Sequence, residues 1–205
     1  MKLASHNTMT YLKPSNWVKW FPWPARCQSK NYIQQYNKGC RMFDLRIAFD
    51  KDNNPYFAHG LADYKIDKFW NVFESFNKLA YRSLKEDNQR VWIRIIKEKG
   101  GDSKVFYEFC ETIEEKYKHI QFCAGWDKKG RIPIYPFMNK ETRFREDDLE
   151  PDFIDKYSSD NCDKHYHCSG WRIDDLWPWI YAKVMNKKNK KKYKDYPGFL
   201  MMDFV

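Results

Sequence analysis

No stretch of the 205-residue chain comes near the roughly 20 consecutive apolar residues that a membrane-spanning helix requires. The opening Met1, Lys2 and Leu3 run straight into Ser5 and His6, with no apolar leader core between them. The expected location is therefore cytoplasmic or peripheral at a membrane. The six cysteines are scattered and lack the spacing of a secreted disulfide framework, so they read as reduced thiols. Cys162, His165, His167 and Cys168 are soft-metal ligand types crowded into one short segment. A zinc centre draws ligand pairs from two separated elements, so no metal is expected there. No nucleic-acid motif accompanies the lysine run at residues 187–194, and nucleic acid is not an expected partner.

What the chain does carry is positive charge and aromatic surface. Its formal net charge is +9 and 19% of its residues are aromatic, with nine tryptophans. That balance favours anionic partners such as phospholipid surfaces or phosphorylated ligands. The length suits a single domain over residues 1–205. The segment Gly39-Cys40-Arg41-Met42-Phe43-Asp44-Leu45-Arg46-Ile47 organises the reading. Phe43, Leu45 and Ile47 alternate with Asp44, Arg46 and Ala48, the period of a strand with two different faces. Asp44 and Arg46 share the polar face. A strand that packs its apolar face outward against helices and turns an acid and a guanidinium inward describes a barrel with a polar mouth. Asp50 to Asn54 is turn chemistry, and a second short strand ends at His59-Gly60.

Elsewhere, Leu3 to Ser5 reads as a minimal first strand ending at His6-Asn7. Trp17, Trp20 and Trp23, set among two prolines, predict a semi-rigid loop. That loop is either an interfacial aromatic rim or a cap folded back on the fold. Residues 30–38 predict a short helix with Tyr32, Ile33 and Tyr36 on one side. Residues 69–84 predict a core-facing helix, residues 90–97 a strand ending in Lys97, and residues 105–117 an amphipathic helix. A strand is expected at residues 120–123 and an edge segment at 131–137. A helix is expected from Asp174 to near Met185, the basic run 187–194 is expected as a solvated loop, and residues 198–205 as a buried last strand bearing Asp203. In a closed barrel the first and last strands are neighbours, which would bring Asp203 beside His6.

Gly-Cys-Arg-Met-Phe-Asp-Leu-Arg, followed by Tyr56-Phe57-Ala58-His59-Gly60-Leu61 and preceded by Ala4-Ser5-His6-Asn7-Thr8-Met9, resembles the X domain of phosphatidylinositol-specific phospholipases C. The resemblance implies an α/β fold: a compact or irregular (β/α)8 TIM-type barrel of PLC-like phosphodiesterase architecture. A regular barrel needs about 250 residues, so some helices would be abbreviated. It also implies phosphodiester cleavage by internal attack. That reaction needs a base for the inositol 2-hydroxyl, an acid for the leaving alkoxide, and positive charge on the phosphoryl oxygens.

By resemblance His6 is the base and His59 the acid, Asp203 orients His6, Asp44 holds His59 or Arg46, and Arg46 clamps the phosphate. Asn7 and Lys97 would lie near the substrate. The implied partners are phosphatidylinositol or another anionic phospholipid and a peripheral membrane surface. No cofactor is expected. Calcium-dependent members place a carboxylate where this chain has Arg46. A guanidinium about 4 Å from a divalent ion costs about 8 kcal/mol at an effective dielectric of about 20. Calcium is the alternative if Arg46 does not replace it. Asn7 departs from the pattern, since metal-independent members often carry Asp there while calcium-using ones carry Asn. Two other readings are a catalytically weak anionic-lipid-binding member of the same fold and a metal-dependent glycerophosphodiester phosphodiesterase-like enzyme. The second uses Glu-x-Asp at this strand, and Asp44-Leu45-Arg46 lacks its second acid.

Overall fold

The computed structural model describes residues 2–123, 125–126, 133–134, 153–154, 178–195 and 199–205. The Cys162 to Cys168 segment, most of the expected edge segment at 131–137 and the expected start of the last helix at Asp174 lie outside these residues. The strands are β1 (Lys2–Ser5), β2 (Cys40–Phe49), β3 (Pro55–His59), β4 (Ala62–Tyr64), β5 (Val91–Lys99), β6 (Ile120–Cys123), β7 (Gly125–Trp126), β8 (Pro133–Ile134), β9 (Phe153–Ile154) and β10 (Phe199–Met202). The helices are α1 (Tyr32–Asn37), α2 (Phe69–Asp87), α3 (Ser103–Lys116) and α4 (Pro178–Lys192). The chain forms two compact units, one of Met1–Asp44, His59–Tyr64 and Pro151–Val205, the other of Leu45–Ala58 and Lys65–Glu150.

In the first unit β1 is central. It pairs in parallel with β10, from Lys2 opposite Phe199 to Ser5 opposite Met202. On its other side it pairs in parallel with the start of β2, Ala4 facing Met42 and Ser5 facing Phe43. β9 continues the parallel order beyond β10. α1 begins with a reciprocal capping box. Asn31 Oδ1 accepts from the Gln34 backbone N–H, and Gln34 Oε1 accepts from that of Asn31. Tyr36 is buried on this helix while Ile33 is exposed, so its apolar side is narrower than the sequence predicts.

The basic run differs most from expectation. Lys187, Lys188, Lys190, Lys191 and Lys192 lie on α4 rather than in a loop, with Lys194 in the turn beyond. Ala182, Met185, Asn186 and Asn189 form the buried side of that helix. Placed among the lysines, Asn186 and Asn189 leave no apolar run to signal a helix. Their burial is compensated in part by Asn186 Nδ2, which donates to the Asp203 backbone carbonyl at 2.6 Å.

In the second unit the later half of β2 pairs antiparallel with β3, Ile47 facing Phe57 and Phe49 facing Pro55. The turn between them is built on Asp50, whose Oδ1 accepts from the backbone N–H groups of Asp52 and Asn54, both at 2.9 Å. β5 pairs with β2 and, in parallel, with β6. β2 and β5 bury both faces: Phe43, Asp44, Leu45, Ile47 and Ala48 are all fully buried, so the split into an apolar and a polar face does not become a split into buried and exposed. Phe69, Val72, Phe73, Phe76 and Ala80 form the buried stripe of α2, while Leu84 stands exposed. Asp102 caps α3 by accepting from the Val105 N–H at 2.9 Å. Just before it Gly100 takes φ +68°, and a Cβ there would run into the Phe49 carbonyl. The antiparallel β2–β3 pair is foreign to a regular (β/α)8 repeat. Among the described residues the strands form a mixed sheet rather than a ring of parallel strands.

Candidate active site

The end of β1 sets the geometry of the first unit. His6 continues the β1–β10 ladder, its backbone N–H donating to the Met202 carbonyl at 3.1 Å. The residue after Met202 therefore comes alongside His6. His6 Nδ1 lies 2.7 Å from Asp203 Oδ1, with both residues buried. A carboxylate accepts and does not donate, so this contact places a proton on Nδ1 and leaves Nε2 as the nitrogen that exchanges protons. Nε2 in turn accepts from Asn7 Nδ2 at 3.0 Å.

Asn7 turns the chain out of the strand at φ 45°, ψ 54°. Asparagine enters this left-handed region more readily than most residues. Its backbone N–H donates to Asp44 Oδ2 at 3.1 Å, and the same carboxylate oxygen stands 3.9 Å from His6 Nε2. Asp44, fully buried, thus reaches Asn7 and His6.

His59 closes β3. Its Nδ1 donates to the Ala25 carbonyl at 2.9 Å, which likewise leaves Nε2 as the working nitrogen. That carbonyl also accepts from the Tyr64 hydroxyl at 3.1 Å. Burial pushes the Tyr64 phenol above its ordinary range, so it remains a donor. The His6 and His59 rings meet edge to face, centroids 6.4 Å apart and 79° between planes. Two imidazoles with fixed tautomers and neighbouring rings suit a proton-in, proton-out reaction.

Three residues that sequence reasoning passed over complete the cluster. Thr10 Oγ1 accepts from the Cys27 and Gln28 N–H groups at 2.9 and 3.0 Å and donates to the Asn7 carbonyl at 2.8 Å. Gln28 Nε2 donates to the carbonyls of His6 and Met202 at 2.9 and 3.0 Å, tying the ends of β1 and β10 together. Cys27 Sγ accepts from Asn7 Nδ2 at 3.5 Å and lies 4.0 Å from His59 Nδ1. All three sit outside periodic segments, so no pattern marks them. One ligand atom from each of His6, Cys27 and Asp203 falls within 4.8 Å of the others, the one such metal-capable group among the described residues.

Arg46 belongs to the second unit. Its Nη1 stands 3.5 Å from Oε2 of Glu98, a carboxylate almost entirely buried on β5 and not singled out by the sequence. Side chains alternate along a strand, so Lys97 stands on the opposite face of β5 from Glu98. It is half-buried there.

The tryptophan segment is not a plain loop. Its residues form short 3₁₀ turns at Trp17–Trp20 and Trp23–Ala25. Trp17, Trp20, Phe21 and Trp23 are 64%, 71%, 60% and 42% exposed, while Val18 is buried. Ser15 N–H donates to the Asp63 carbonyl at 2.7 Å, and Asn16 Nδ2 to the Leu61 carbonyl at 2.6 Å. These bonds anchor the start of the segment.

Solved structures of the phosphatidylinositol-specific phospholipase C from Staphylococcus aureus are similar to this chain. A single-site variant matches with 16% identity and a TM-score of 0.61 over 98% of this chain and 85% of that one. A pentafluoro-Phe form matches with 14% identity and a TM-score of 0.57 over the same shares. A third structure, concerned with modulation of that enzyme's membrane binding, matches with 17% identity and a TM-score of 0.53, also over 98% and 85%. At these identities the likeness speaks to fold. No curated protein matches the sequence. The family description "Phosphatidylinositol-specific phospholipase C, X domain" matches residues 4–119, more than half of the chain, and the protein belongs to that family.

Proposed function

We propose that the protein cleaves the phosphodiester bond of phosphatidylinositol or a related anionic phospholipid, with His6 as general base and His59 as general acid. The observation that carries this reading is the His6–Asp203 pair, Nδ1 to Oδ1 at 2.7 Å, with the His59 ring beside it in the same unit. Asp203 fixes the tautomer in which His6 Nε2 can take a proton from the attacking hydroxyl, and it supports the imidazolium that results. The Ala25 carbonyl does the same for His59, which delivers its Nε2 proton to the leaving alkoxide. Asn7 holds Nε2 of His6 until substrate displaces it. A half-turn of the Asn7 amide would present its oxygen to the protonated ring, and that oxygen is buried without a hydrogen-bond partner.

Arg46 enters this scheme through the family resemblance, as the supplier of positive charge to the phosphoryl oxygens; within its own unit it stands 3.5 Å from Glu98. Lys97 enters only through the family resemblance. The finer architecture, an irregular (β/α)8 barrel forming one catalytic domain over residues 1–205, is part of the same proposal and rests on the similarity to the S. aureus structures.

Calcium does not suit the donor set. It takes about 6–8 oxygen ligands, whereas the metal-capable group here brings a thiol and an imidazole to one carboxylate. No step of the proposal runs through a metal.

The exposed Trp17, Trp20 and Trp23, with a net charge of +9, support docking at an anionic membrane surface. No described helix is long and apolar enough to cross a membrane, which fits a peripheral mode. The test is turnover of phosphatidylinositol vesicles, with the soluble product identified as cyclic or open inositol phosphate. Vesicle binding without product would favour the lipid-binding member over the enzyme.

A further inference from the structure

Cys27 has no part in the proposed proton transfers, yet it lies among the groups that perform them. It is 1% exposed. Its Sγ is 3.5 Å from Asn7 Nδ2, which also donates to His6 Nε2, and 4.0 Å from His59 Nδ1. Its backbone is pinned at both ends: the N–H donates to Thr10 Oγ1 at 2.9 Å and the carbonyl accepts from the Phe204 N–H at 2.7 Å. The thiol is therefore held in place rather than swept through the site. A thiol, an imidazole nitrogen and a carboxylate oxygen within 4.8 Å of one another form a mixed soft donor set.

We propose that Cys27, His6 and Asp203 form a site for a soft or borderline divalent ion of the zinc class, and that filling it shuts off the His6 base. The site rests on geometry alone; only the inhibitory consequence rests on the function proposed above. Zinc bonds of about 2.0–2.3 Å in a tetrahedron put ligand atoms about 3.3–3.8 Å apart. The His6–Asp203 contact of 2.7 Å opens to that range and the wider separations, at most 4.8 Å, close to it through side-chain rotations. Three protein ligands leave a fourth position for water. Thiolate and imidazole select zinc, cobalt or cadmium over calcium and magnesium, which prefer oxygen. On binding, the Cys27 S–H bond breaks, its proton passes to solvent and the sulfur lone pair forms the metal bond. At His6 the ion takes the place of the Nδ1 proton, which is lost to solvent while Nε2 takes one up, so the ring stays neutral, Nε2 has no lone pair left for substrate, and the ion parts His6 from Asp203.

The experiment titrates the chelator-treated full chain with cobalt(II) and reads the near-ultraviolet thiolate-to-cobalt charge-transfer band, with zinc(II) as competitor. One equivalent of cobalt should develop the band, zinc should remove it, and calcium or magnesium should leave it unchanged. Outer ligand-supporting residues typically change metal affinity by about 10–100-fold, so loss of the thiolate in Cys27→Ala or Cys27→Ser should weaken binding by at least about 100-fold. Both variants are checked for folding by circular dichroism. The combined Cys162→Ser and Cys168→Ser variant should keep the band, which separates this site from the other Cys/His segment. A band that survives in folded Cys27→Ala, or vanishes with the Cys162 and Cys168 changes, overturns the proposal. Absence of lipid cleavage with the cobalt band intact would sink the functional reading and leave the metal site standing. Where cleavage is measurable, zinc should inhibit wild type at least about 100-fold more potently than Cys27→Ala, each compared with its own metal-free rate.

Discussion

His6 Nδ1 and Asp203 Oδ1 stand 2.7 Å apart although 197 positions separate them in the chain. The contact needs three supports. The parallel β1–β10 ladder sets Ser5 opposite Met202. Gln28 bridges the two strand ends. Asn186 holds the Asp203 carbonyl from α4. Asp203→Asn should lower the phosphodiesterase rate by about 10²–10⁴, the range of a general base deprived of its correct tautomer, with a far smaller effect on stability. The amide can donate toward Nδ1 and drive the ring proton onto Nε2. The check is the His6 ring titration followed by NMR. An unchanged titration in the variant would show that Asp203 is not the partner of His6.

The exposed aromatic rim makes a second prediction. Burying one large apolar side chain contributes about 1.5–3 kcal/mol, or about 10–100-fold in affinity. Trp20→Ala combined with Trp23→Ala should therefore weaken binding to anionic vesicles by about 100-fold or less, since both rings are already partly covered. The fold should hold, because Val18 rather than the tryptophans carries the burial of that segment. Vesicle co-sedimentation of a folded double variant is the measurement, and undiminished binding would remove the rim.

These two predictions draw on features of very different legibility. The strand bearing Asp44 and Arg46 and the helix stripe from Phe69 to Ala80 follow from local period, because burial repeats with the element. The proximity of Asp203 to His6 follows from connectivity, because the first and last strands pair. Cys27, Gln28 and Thr10 were not readable in this way. Cys27 and Gln28 lie in irregular chain and Thr10 in a single short 3₁₀ turn, and bonds between residues distant in sequence bring them together. Glu98 was hidden for another reason: an acid in a Lys-Glu-Lys strand end looks solvated until Arg46 is found 3.5 Å away. The helical lysine run was masked because buried asparagines, not apolar residues, form part of its inner side.

Alkaline stability gives a third prediction. Burial, with Tyr32 adding to it, pushes the Tyr11 phenol from 10.0 to about 12. In the unfolded chain the phenol ionises first, so the raised value contributes stability that is fully present below pH 10 and is lost as pH rises through about 12. Tyr11→Phe should flatten the fall in melting temperature between pH 10 and about 12 without altering it at neutral pH. Thermal unfolding followed against pH decides it, and a parallel decline in both proteins would assign the alkaline loss to other groups.

The last prediction concerns Arg46 and the need for metal. The family's calcium-using members place a carboxylate where this chain has a guanidinium, and here that guanidinium is held 3.5 Å from buried Glu98. Activity should survive exhaustive chelation. Arg46→Ala should lower the rate by about 10²–10³, as when one preorganised donor to the transition state is removed. Glu98→Gln keeps the shape but loosens Arg46, and should cost about 10-fold; adding it to Arg46→Ala should cost nothing more, because both act through the same contact. Arg46→Asp would set two acids on β2, the arrangement the calcium-using members imply. The oxygen count around Asp44 stays too low for that ion, so calcium should rescue it only slightly. The measurement is phosphatidylinositol hydrolysis by wild type and the variants, in EDTA and in excess calcium. Wild-type activity that EDTA abolishes and calcium restores would overturn the metal-free reading and turn Asp44 and Asn7 into candidate ligands.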